Sequence, residues 1–252
     1  MSLNFAYCKV SISPVRAENK DQAEIVTQLL FGEVFQIQKI EATWCKIVTF
    51  HDHYEGWIDI KHLKPLTQKE VNRWLDGISF EKSVCRNLIT PWGKQRIVKG
   101  SFIPSDDSKT FNIGPDEFVF EESVKTNNPL NVFELANEYI NSPYLWGGKT
   151  PFGIDCSGLT QQVFRFFGIN LPRDASQQVE IGLPIDFEDQ LIGDVAFFHN
   201  HNGKIIHVGI LDGNGKIIHA SGCVRIDSFT IDGIIHAETG LLSHHFHSIK
   251  RF

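Results

Sequence analysis

The chain has few of the features that would place it in a membrane, on nucleic acid or in an oxidising compartment. No apolar run approaches the roughly 18 residues that a transmembrane helix needs. Lysine and arginine (24) are outnumbered by aspartate and glutamate (30). The first twenty residues lack the basic start, apolar core and small-residue cleavage site of a signal peptide. We therefore expect a cytoplasmic protein with neither a membrane nor a nucleic acid as its partner.

Cysteine is also scarce. The five cysteines, at positions 8, 45, 85, 156 and 223, are odd in number, far apart and never in CxxC spacing. This pattern argues against a disulfide framework or a zinc knuckle. Free cysteine is among the most buried residue types, so a small core side chain is the default role of each one. We expect no metal and no cofactor.

The 252 residues do contain enough apolar sequence for a core, with 42% hydrophobic and 21% charged residues. Short alternating segments up to residue 66 predict a small β-barrel. Residues 67–125 predict a second small β module. From residue 126 onward, helical spacing precedes strand-like segments, which predicts an α+β domain with helices packed on an antiparallel sheet. The expected domains are therefore 1–66, 67–125 and 126–252.

One cysteine differs from the others in its surroundings. Cys156 lies in FGIDCSGLTQQVF, residues 152–164, at the start of an apolar pattern with helical spacing. The N-terminus of a helix lowers the pKa of a thiol and offers N–H groups to a developing oxyanion. Gly153 and Gly158 would let the backbone approach a substrate. The roles of nucleophile, buried hydrophobe and metal ligand all remain open at this point.

Two histidines flank a strong hairpin signal, DGNGK. His207 opens HVGIL and His219 ends KIIH. If the paired residue numbers sum to 426, the two side chains lie directly opposite each other, about 5 Å apart at Cβ. One can then take the thiol proton while the other orients it, as in acyl-transfer enzymes. A metal site would need a third ligand, and HHFH at 244–247 is more typical of a solvated strand end.

Six motifs follow one another between residues 126 and 252: PYLWGG, GIDCSGL, LPRDASQQ, GDVAFF, HVGIL and IIHAS. Together they resemble the NlpC/P60 family of cysteine peptidases, which have a papain-like core. The resemblance implies Cys156 as nucleophile, His207 as general base and His219 as the orienting residue. It also implies a pocket lined by Tyr144, Trp146, Asp155, Ser157 and Asp174. Some relatives have serine where this chain has Ala175, and Ser176 is the candidate replacement.

The amino-terminal segments AEIVTQLLFGEVFQI, TWCKIVT and HYEGWI resemble a bacterial SH3 (SH3b) domain. An SH3b domain before an NlpC/P60 domain is similar to the γ-D-glutamyl-L-diamino acid endopeptidases that recycle cell-wall peptides. The resemblance implies a murein peptide with a free N-terminal L-Ala, cleaved between γ-D-Glu and meso-diaminopimelate or L-Lys. Glu24 and Tyr54 match the positions that meet the free amine. Residues 67–125 resemble a second SH3-like module.

Two alternatives belong to other functional classes. In the first alternative, the chain is an inactive module that binds murein peptide. In the second, it is an amidase or acyltransferase on the same core. The intact Cys156, His207 and His219 argue against the first alternative. The pocket acids and the SH3b tyrosine favour a peptide amine over the substrates of the second. No protein partner is inferred.

Overall fold

The computed structural model describes residues 4–106, 108–122 and 129–252. The chain divides into two compact units, which comprise residues 1–127 (unit 1) and 128–252 (unit 2). Within the described ranges, no helix combines the length and the apolar character that crossing a bilayer requires. The predicted domain boundary at residues 125 and 126 lies outside the described residues.

Unit 1 begins with short strands joined by tight turns. Its first sheet contains β1 (Phe5–Cys8), β2 (Ile12–Arg16), β3 (Ile25–Leu30), β4 (Val34–Glu41), β5 (Trp44–Thr49), β6 (Glu55–Asp59) and β7 (Leu63–Leu66). The strands pair in the order β3-β2-β6-β5-β4-β1-β7, and neighbours are antiparallel. Alternate residues are buried, as in β5, where Cys45 and Ile47 face the core. The predicted run of short strands is confirmed.

The rest of unit 1 starts with a capped helix. The remaining elements are α1 (Gln68–Leu75), β8 (Ile78–Phe80), β9 (Cys85–Thr90), β10 (Gly93–Val98), β11 (Phe102–Pro104), β12 (Thr110–Ile113) and β13 (Asp116–Phe120). Thr67 and Glu70 form a capping box that fixes where α1 begins. Phe31 and Leu66 of the first segment share one hydrophobic cluster with Trp74, Phe102 and Phe118. The two segments therefore have a common core, and the predicted division at residue 66 stays a prediction.

Unit 2 places short helices before a strand-rich half. Its elements are α2 (Val132–Asn137), β14 (Lys149–Thr150), β15 (Gly153–Ile154), α3 (Cys156–Arg165), α4 (Ala175–Gln178), β16 (Leu183–Ile185), β17 (Val195–His199), β18 (Ile205–Leu211), β19 (Lys216–Ser221), β20 (Cys223–Thr230), β21 (Gly233–Ile235) and β22 (Leu242–Arg251). The main sheet has the order β16-β22-β17-β18-β19-β20-β21. Because β21 also pairs with β22, the strands from β17 to β22 close into a barrel.

The inner and outer faces of the barrel in unit 2 belong to different hydrophobic clusters. The inner cluster contains Ala196, Phe198, Leu211, Ile217, Phe229, Ile234 and Ile249. The outer face buries Val195, Val208, Ile210 and Ile218 against Leu135, Leu159 and Val163 of the helices. The prediction of helices packed on an antiparallel sheet is confirmed only in part. The helices do pack on the strands, but they are short, and the strands make up most of the unit and form a barrel.

Candidate active site

The position of Cys156 is set by the cap of a helix. Cys156 is the first residue of α3, and Asp155 is the N-cap, whose Oδ1 accepts a hydrogen bond from the Gly158 N–H at 2.6 Å. The backbone N–H groups of Ser157 and Val208 donate to the Cys156 sulfur. The predicted helix start at Cys156 is therefore confirmed. A strand of the barrel also contacts this sulfur through Val208.

Burial outweighs the helix terminus in setting the acidity of the thiol. The Cys156 side chain is 7% exposed. Burial raises the pKa of Cys156 to about 12, and the Asp155 charge acts in the same direction. The two backbone N–H groups and Arg173 lower the pKa but only partly compensate. The thiol is thus protonated at neutral pH, which differs from the low-pKa thiol expected from the helix start alone. A base must take its proton.

The two histidines from the hairpin do meet, but not in the predicted register. His207 Nε2 lies 2.7 Å from His219 Nδ1. His219 pairs with Gly209 across the ladder, so paired residue numbers sum to 428 and the predicted sum of 426 is wrong. The two histidines are diagonal neighbours, a separation that long or aromatic side chains still bridge.

The register follows from the chemistry of the turn. Asp212 closes a three-residue loop, because its Oδ1 accepts from the N–H groups of Asn214 and Lys216 at 2.7 and 2.8 Å. Gly215 has a positive φ of 83°, a conformation that glycine adopts without a steric penalty. The loop therefore occupies residues 213–215, one position later than the register predicted from sequence requires.

A β-bulge turns His207 at the start of β18. Phe198 pairs with His207, while the next residue, His199, pairs with Ile205. Ile206 is the extra residue and is 49% exposed. Bulges often re-aim a side chain beside an active site. The peptide that joins His207 to Val208 is also the one whose N–H donates to the Cys156 sulfur, so the bulge and the thiol are adjacent.

A buried carboxylate continues the histidine pair. Asp227 Oδ2 lies 3.0 Å from His219 Nε2, and its Oδ1 accepts from the Ala237 N–H at 2.8 Å. Arg225 donates to both carboxylate oxygens, at 3.0 and 3.2 Å. Burial by itself raises the pKa of Asp227, but the bonds from His219, Ala237 and Arg225 outweigh it and hold this pKa well below its usual range. Asp227 is therefore ionised at neutral pH.

This chain of contacts assigns the ring protons. An ionised Asp227 can only accept, so His219 Nε2 carries a proton, and in the tautomer with one proton on this ring Nδ1 has a lone pair. His207 Nε2–H must then donate to that lone pair. His207 consequently keeps a free lone pair on Nδ1. The arrangement leaves one nitrogen of His207 available as a proton acceptor, as a general base requires.

A third histidine joins this pair from the last strand. The ring of His244 stacks on His207, with centroids 4.0 Å apart and planes inclined by 23°. Burial lowers the pKa of His244 to about 4. Burial, then the fields of His244 and His219, place the pKa of His207 well below its ordinary value. Both rings are therefore neutral at pH 7.

The expectation of a solvated strand end at residues 244–247 is wrong for His244, whereas His245 and His247 are exposed. The structure also brings a third histidine, which the sequence spacing did not reveal, next to the pair. His207, His219 and His244 each offer a ring nitrogen, and these atoms all lie within 4.8 Å of one another.

The predicted pocket residues Asp155 and Ser157 are held from inside the protein. Arg173 is 1% exposed, and it donates to Asp155 Oδ1 and Oδ2 at 3.0 and 2.6 Å and to Ser157 Oγ at 3.0 Å. The Gly147 N–H also donates to Asp155 Oδ2 at 2.8 Å. The Gly158 N–H and the Ser157 hydroxyl, the latter at 3.4 Å, add to these and to the two arginine bonds, so the carboxylate accepts five hydrogen bonds.

The other predicted pocket residues of unit 2 lie around the start of α3 and on α4. Tyr144 is half-buried, and burial, then the Cys156 and Asp155 charges, raise its pKa to about 12. Its hydroxyl therefore stays protonated. Trp146 is 61% exposed. Asp174 precedes α4, in which Ala175 is buried and Ser176 is exposed. The binding roles of all these residues stay predictions.

Gln178, which sequence reasoning missed, ties α4 to α3. Its Nε2 donates to the Ser157 and Pro172 carbonyls at 3.1 and 2.8 Å, and its Oε1 accepts from Thr160 at 2.7 Å. Gln178 is fully buried. The residue therefore links the LPRDASQQ motif to the backbone beside Cys156.

Glu24 and Tyr54 both belong to unit 1. Glu24 precedes β3, where its carbonyl accepts from the Ala17 N–H at 3.0 Å, and Tyr54 precedes β6. Strands β3 and β6 both pair antiparallel with β2, so they start at the same end of it. The two residues therefore lie at one end of the sheet. Their role towards a substrate amine stays a prediction.

Comparison with known proteins agrees with this fold. The NlpC/P60 family model matches residues 141–240, and the bacterial dipeptidyl-peptidase SH3 domain model matches residues 15–63. A gamma-D-glutamyl-L-lysine dipeptidyl-peptidase from Bacillus cereus is 38% identical over 230 residues, which cover 80% of this chain and 69% of the relative. A Bacillus subtilis protein of the same name is 28% identical over 219 residues, covering 78% and 72%.

A crystal structure of an NlpC/P60 family protein from Bacillus cereus has the same fold. The TM-score is 0.79 at 18% identity, and the match covers 98% of this chain and 99% of the other. A cysteine at a helix start, set against a barrel that carries paired histidines, together with these relatives, defines a cysteine peptidase, which is a hydrolase. The chain belongs to the NlpC/P60 family and carries a bacterial SH3 domain before the peptidase domain.

Proposed function

We propose that the protein hydrolyses the bond between γ-D-glutamate and a diamino acid in short murein peptides that have a free N-terminal L-Ala. The observation that carries the proposal is the double match. Relatives named gamma-D-glutamyl-L-lysine dipeptidyl-peptidase align over about four fifths of the chain, across both the SH3 and the peptidase parts. The diamino acid is L-Lys or meso-diaminopimelate.

The site geometry supports a Cys-His-His mechanism for this hydrolysis. As the Cys156 sulfur attacks the γ-glutamyl carbonyl carbon, its proton passes to Nδ1 of His207. The same proton then goes to the departing amine nitrogen, the C–N bond breaks and a thioester remains. Water next attacks the thioester and gives its proton to His207. Collapse of this second intermediate returns the proton to sulfur and releases the glutamyl carboxyl group.

Each neighbour of the base has a part in this scheme. His219 accepts the Nε2–H of His207, which stabilises the imidazolium that forms in the transition state. The backbone N–H of Cys156 is the proposed donor to the oxyanion, because the Ser157 N–H donates to the sulfur and the Gly158 N–H donates to Asp155. The Tyr144 hydroxyl is protonated, and it lies close enough to Cys156 for a thiolate charge there to raise the Tyr144 pKa. This hydroxyl can therefore donate a hydrogen bond to the oxyanion or to a substrate carboxylate.

In this proposal the free amine of L-Ala is bound by Glu24 and Tyr54 of unit 1. A primary ammonium is recognised by carboxylate and hydroxyl acceptors, and charge-assisted hydrogen bonds are the strong ones. Glu24 is exposed at the start of β3. Asp155 contributes its negative charge to the pocket, because its lone pairs are occupied by Gly147, Gly158 and Arg173.

The test is mass spectrometry of the products from L-Ala-γ-D-Glu-L-Lys and its meso-diaminopimelate counterpart, each with a free and an acetylated N-terminus. Release of L-Ala-γ-D-Glu from the free-amine peptides alone supports the proposal. Cleavage of the acetylated peptides as well refutes the amine anchor. If no peptide is cleaved, or if a Cys156→Ala variant cleaves as the wild type does, the peptidase assignment is refuted and the binding-module alternative takes its place.

A cytoplasmic role in recycling wall peptides remains part of the proposal. It rests on the proposed preference for small peptides with a free amine, which intact wall does not offer. Fractionation of cells that produce the protein with a carboxy-terminal reporter tests the location. Recovery of the reporter outside the cytoplasm would contradict it.

A further inference from the structure

Three imidazoles meet at the inner face of the barrel, and the proposed reaction uses only two of them. His207 is on β18, His219 on β19 and His244 on β22, and all three are buried or half-buried. Each ring offers one nitrogen as a ligand atom, and these three atoms lie within 4.8 Å of one another. Imidazole nitrogen is a preferred ligand of zinc and of other divalent first-row metals.

We propose that His207, His219 and His244 form a binding site for a divalent transition-metal ion of the Zn²⁺ class, and that the bound ion inactivates His207 as a base. The binding part of this proposal is argued from the geometry alone. The inhibition part also rests on the proposed function.

The hydrogen bonds around the rings select which nitrogen each would offer. His219 has Nε2 bound to Asp227, so Nδ1 is its ligand atom. His207 presents Nε2 to that same atom. His244 has Nδ1 at 3.0 Å from the Ser243 hydroxyl, which leaves Nε2 as its ligand atom. Three different strands thus supply the three ligands.

The contacts behind His219 have the form that metal sites require. A ligating histidine almost always donates its other N–H to a carboxylate or a carbonyl, which fixes the ring and strengthens the ligand. Asp227 fills this role at 3.0 Å from His219 Nε2 and is itself held by Arg225 and Ala237. The carboxylate, histidine and metal position therefore form the arrangement that is common in zinc proteins.

The ring positions are close to those of a tetrahedral site. Two imidazoles on one zinc ion, with Zn–N near 2.0–2.1 Å, have centroids about 5.3 Å apart. His207 and His219 are 5.0 Å apart at 84°, and His219 and His244 are 5.8 Å apart at 86°. His207 and His244 are stacked at 4.0 Å, so this pair must separate on binding. His244 is the ligand that meets solvent, and its rotation both opens the stack and admits the ion.

Binding has a direct consequence for the base. A metal ion can bind His207 Nε2 only after the proton on that atom has left. This proton can move to Nδ1, the other nitrogen of the ring. The ring then holds its proton on the nitrogen that would accept the thiol proton, and no net proton is released. His207 can no longer act as a base, although the metal has no bond to Cys156 sulfur.

The test is titration of a Cys156→Ala protein with Co²⁺, whose visible absorption reports tetrahedral nitrogen ligation, and with Zn²⁺ by calorimetry. The matched variants are His244→Phe, which keeps a ring against His207, and His245→Phe, which changes the neighbouring exposed residue of the same strand. His199, His201 and His247 lie near His245 on the surface, so the second variant also reports on adventitious binding there.

We expect one ion to bind per chain in the Cys156→Ala protein and in its His245→Phe derivative. His244→Phe should weaken binding by about tenfold or more, since a lost ligand costs at least as much as a lost outer-shell partner. Should His244→Phe fail to fold, Asp227→Asn replaces it, with an expected loss of about tenfold. Absence of saturable binding, or equal weakening by His245→Phe, would overturn the site.

Inhibition is measured separately on the wild-type protein. Zn²⁺ should inhibit peptide cleavage reversibly, with recovery on adding a chelator, and His244→Phe should need about tenfold more Zn²⁺ for the same fractional inhibition. If the protein cleaves no peptide at all, the proposed function fails while the Co²⁺ titration still decides the metal site. If cleavage occurs and Zn²⁺ binds at the three histidines without inhibiting, the inhibitory role is refuted.

Discussion

Asp227 should control the rate of the reaction although it lies two hydrogen bonds away from the base. Its carboxylate takes four donors, from His219, Ala237 and twice from Arg225. An Asp227→Asn variant keeps the shape of the side chain but replaces one acceptor oxygen by an NH₂ donor. That NH₂ must face either the Ala237 N–H or the His219 ring.

The structure decides between these two orientations. The backbone N–H of Ala237 cannot lose its proton, whereas His219 can move its proton from Nε2 to Nδ1. The asparagine NH₂ should therefore face His219, which then donates through Nδ1 to His207 Nε2. His207 must in turn carry its proton on Nδ1, the nitrogen that the mechanism needs free.

The size of the effect follows from the cost of restoring the productive tautomer. Turning the amide back leaves the Ala237 N–H facing a donor, and an unsatisfied buried group costs about 1–3 kcal/mol. This range corresponds to a fall in kcat of roughly 5- to 160-fold. KM should change little, because Asp227 is 1% exposed and does not meet solvent or substrate.

The assay is steady-state release of L-Ala-γ-D-Glu, combined with ¹⁵N NMR of the histidine rings, which reports the tautomers. Asp194→Asn is the matched control. Asp194 is equally buried and pairs with Arg251 at 2.7 and 2.8 Å in the same unit, without contacting a catalytic histidine. Wild-type kcat in Asp227→Asn, or an equal loss in Asp194→Asn, would refute the reasoning, as would unchanged tautomers.

Three further predictions concern the scaffold and the pH range. Gly158→Ala should destabilise unit 2 and abolish cleavage, because a Cβ would collide with the Gly148 carbonyl. Gly168 lies in open space at φ +78°, so Gly168→Ala should lower the free energy of unfolding in urea by only about 1 kcal/mol. Arg173→Leu should lower the free energy of unfolding by about 3–5 kcal/mol, since it leaves the Asp155 charge buried without its partner; a loss below 1 kcal/mol would contradict this. The acid limb of kcat/KM should lie below the ordinary imidazole pKa of about 6.5, because burial favours neutral His207, and a limb above pH 7 would contradict it.

The same depressed pKa values predict how stability depends on pH. His207 and His244 bind protons more weakly in the folded than in the unfolded state. Unfolding should therefore become easier as the pH falls from about 6.5 towards 4, where the folded His244 ring begins to charge. His244→Phe should reduce this dependence in urea melts recorded across that range.

Local chemistry made much of the site predictable. The apolar spacing that begins at Cys156 placed this residue at a helix start, and in the structure Asp155 caps that start by accepting from Gly158 N–H at 2.6 Å. Asn131 caps α2 in the same way, with its Oδ1 accepting from Glu134 N–H at 2.9 Å. Caps act within three or four residues, so a single stretch of sequence contains the whole signal. The hairpin between the two histidines was predictable for the same reason.

The hairpin register shows where local reasoning becomes too coarse. The motif DGNGK marked the turn, but two loop placements were compatible with it. Asp212 selected the later one by bonding Asn214 and Lys216. A shift of two keeps the side chains on the same face of the sheet, so the contact between His207 and His219 survived the wrong register.

The sequence by itself determined the helix start at Cys156 and the hairpin with its two histidines, because these depend on short-range spacing, turns and alternation. The class of the protein was indicated by the resemblance of its six ordered motifs to a known family. Only the tertiary structure decided what surrounds the helix start and the hairpin. Asp227, His244 and Arg173 reach the site because the strands of unit 2 curl until β21 pairs with β22, and because the LPRD loop returns to α3. Those contacts join residues up to tens of positions apart, and burial within them sets the protonation of the thiol and the imidazoles. No local pattern encodes that burial, since it exists only once the barrel has closed.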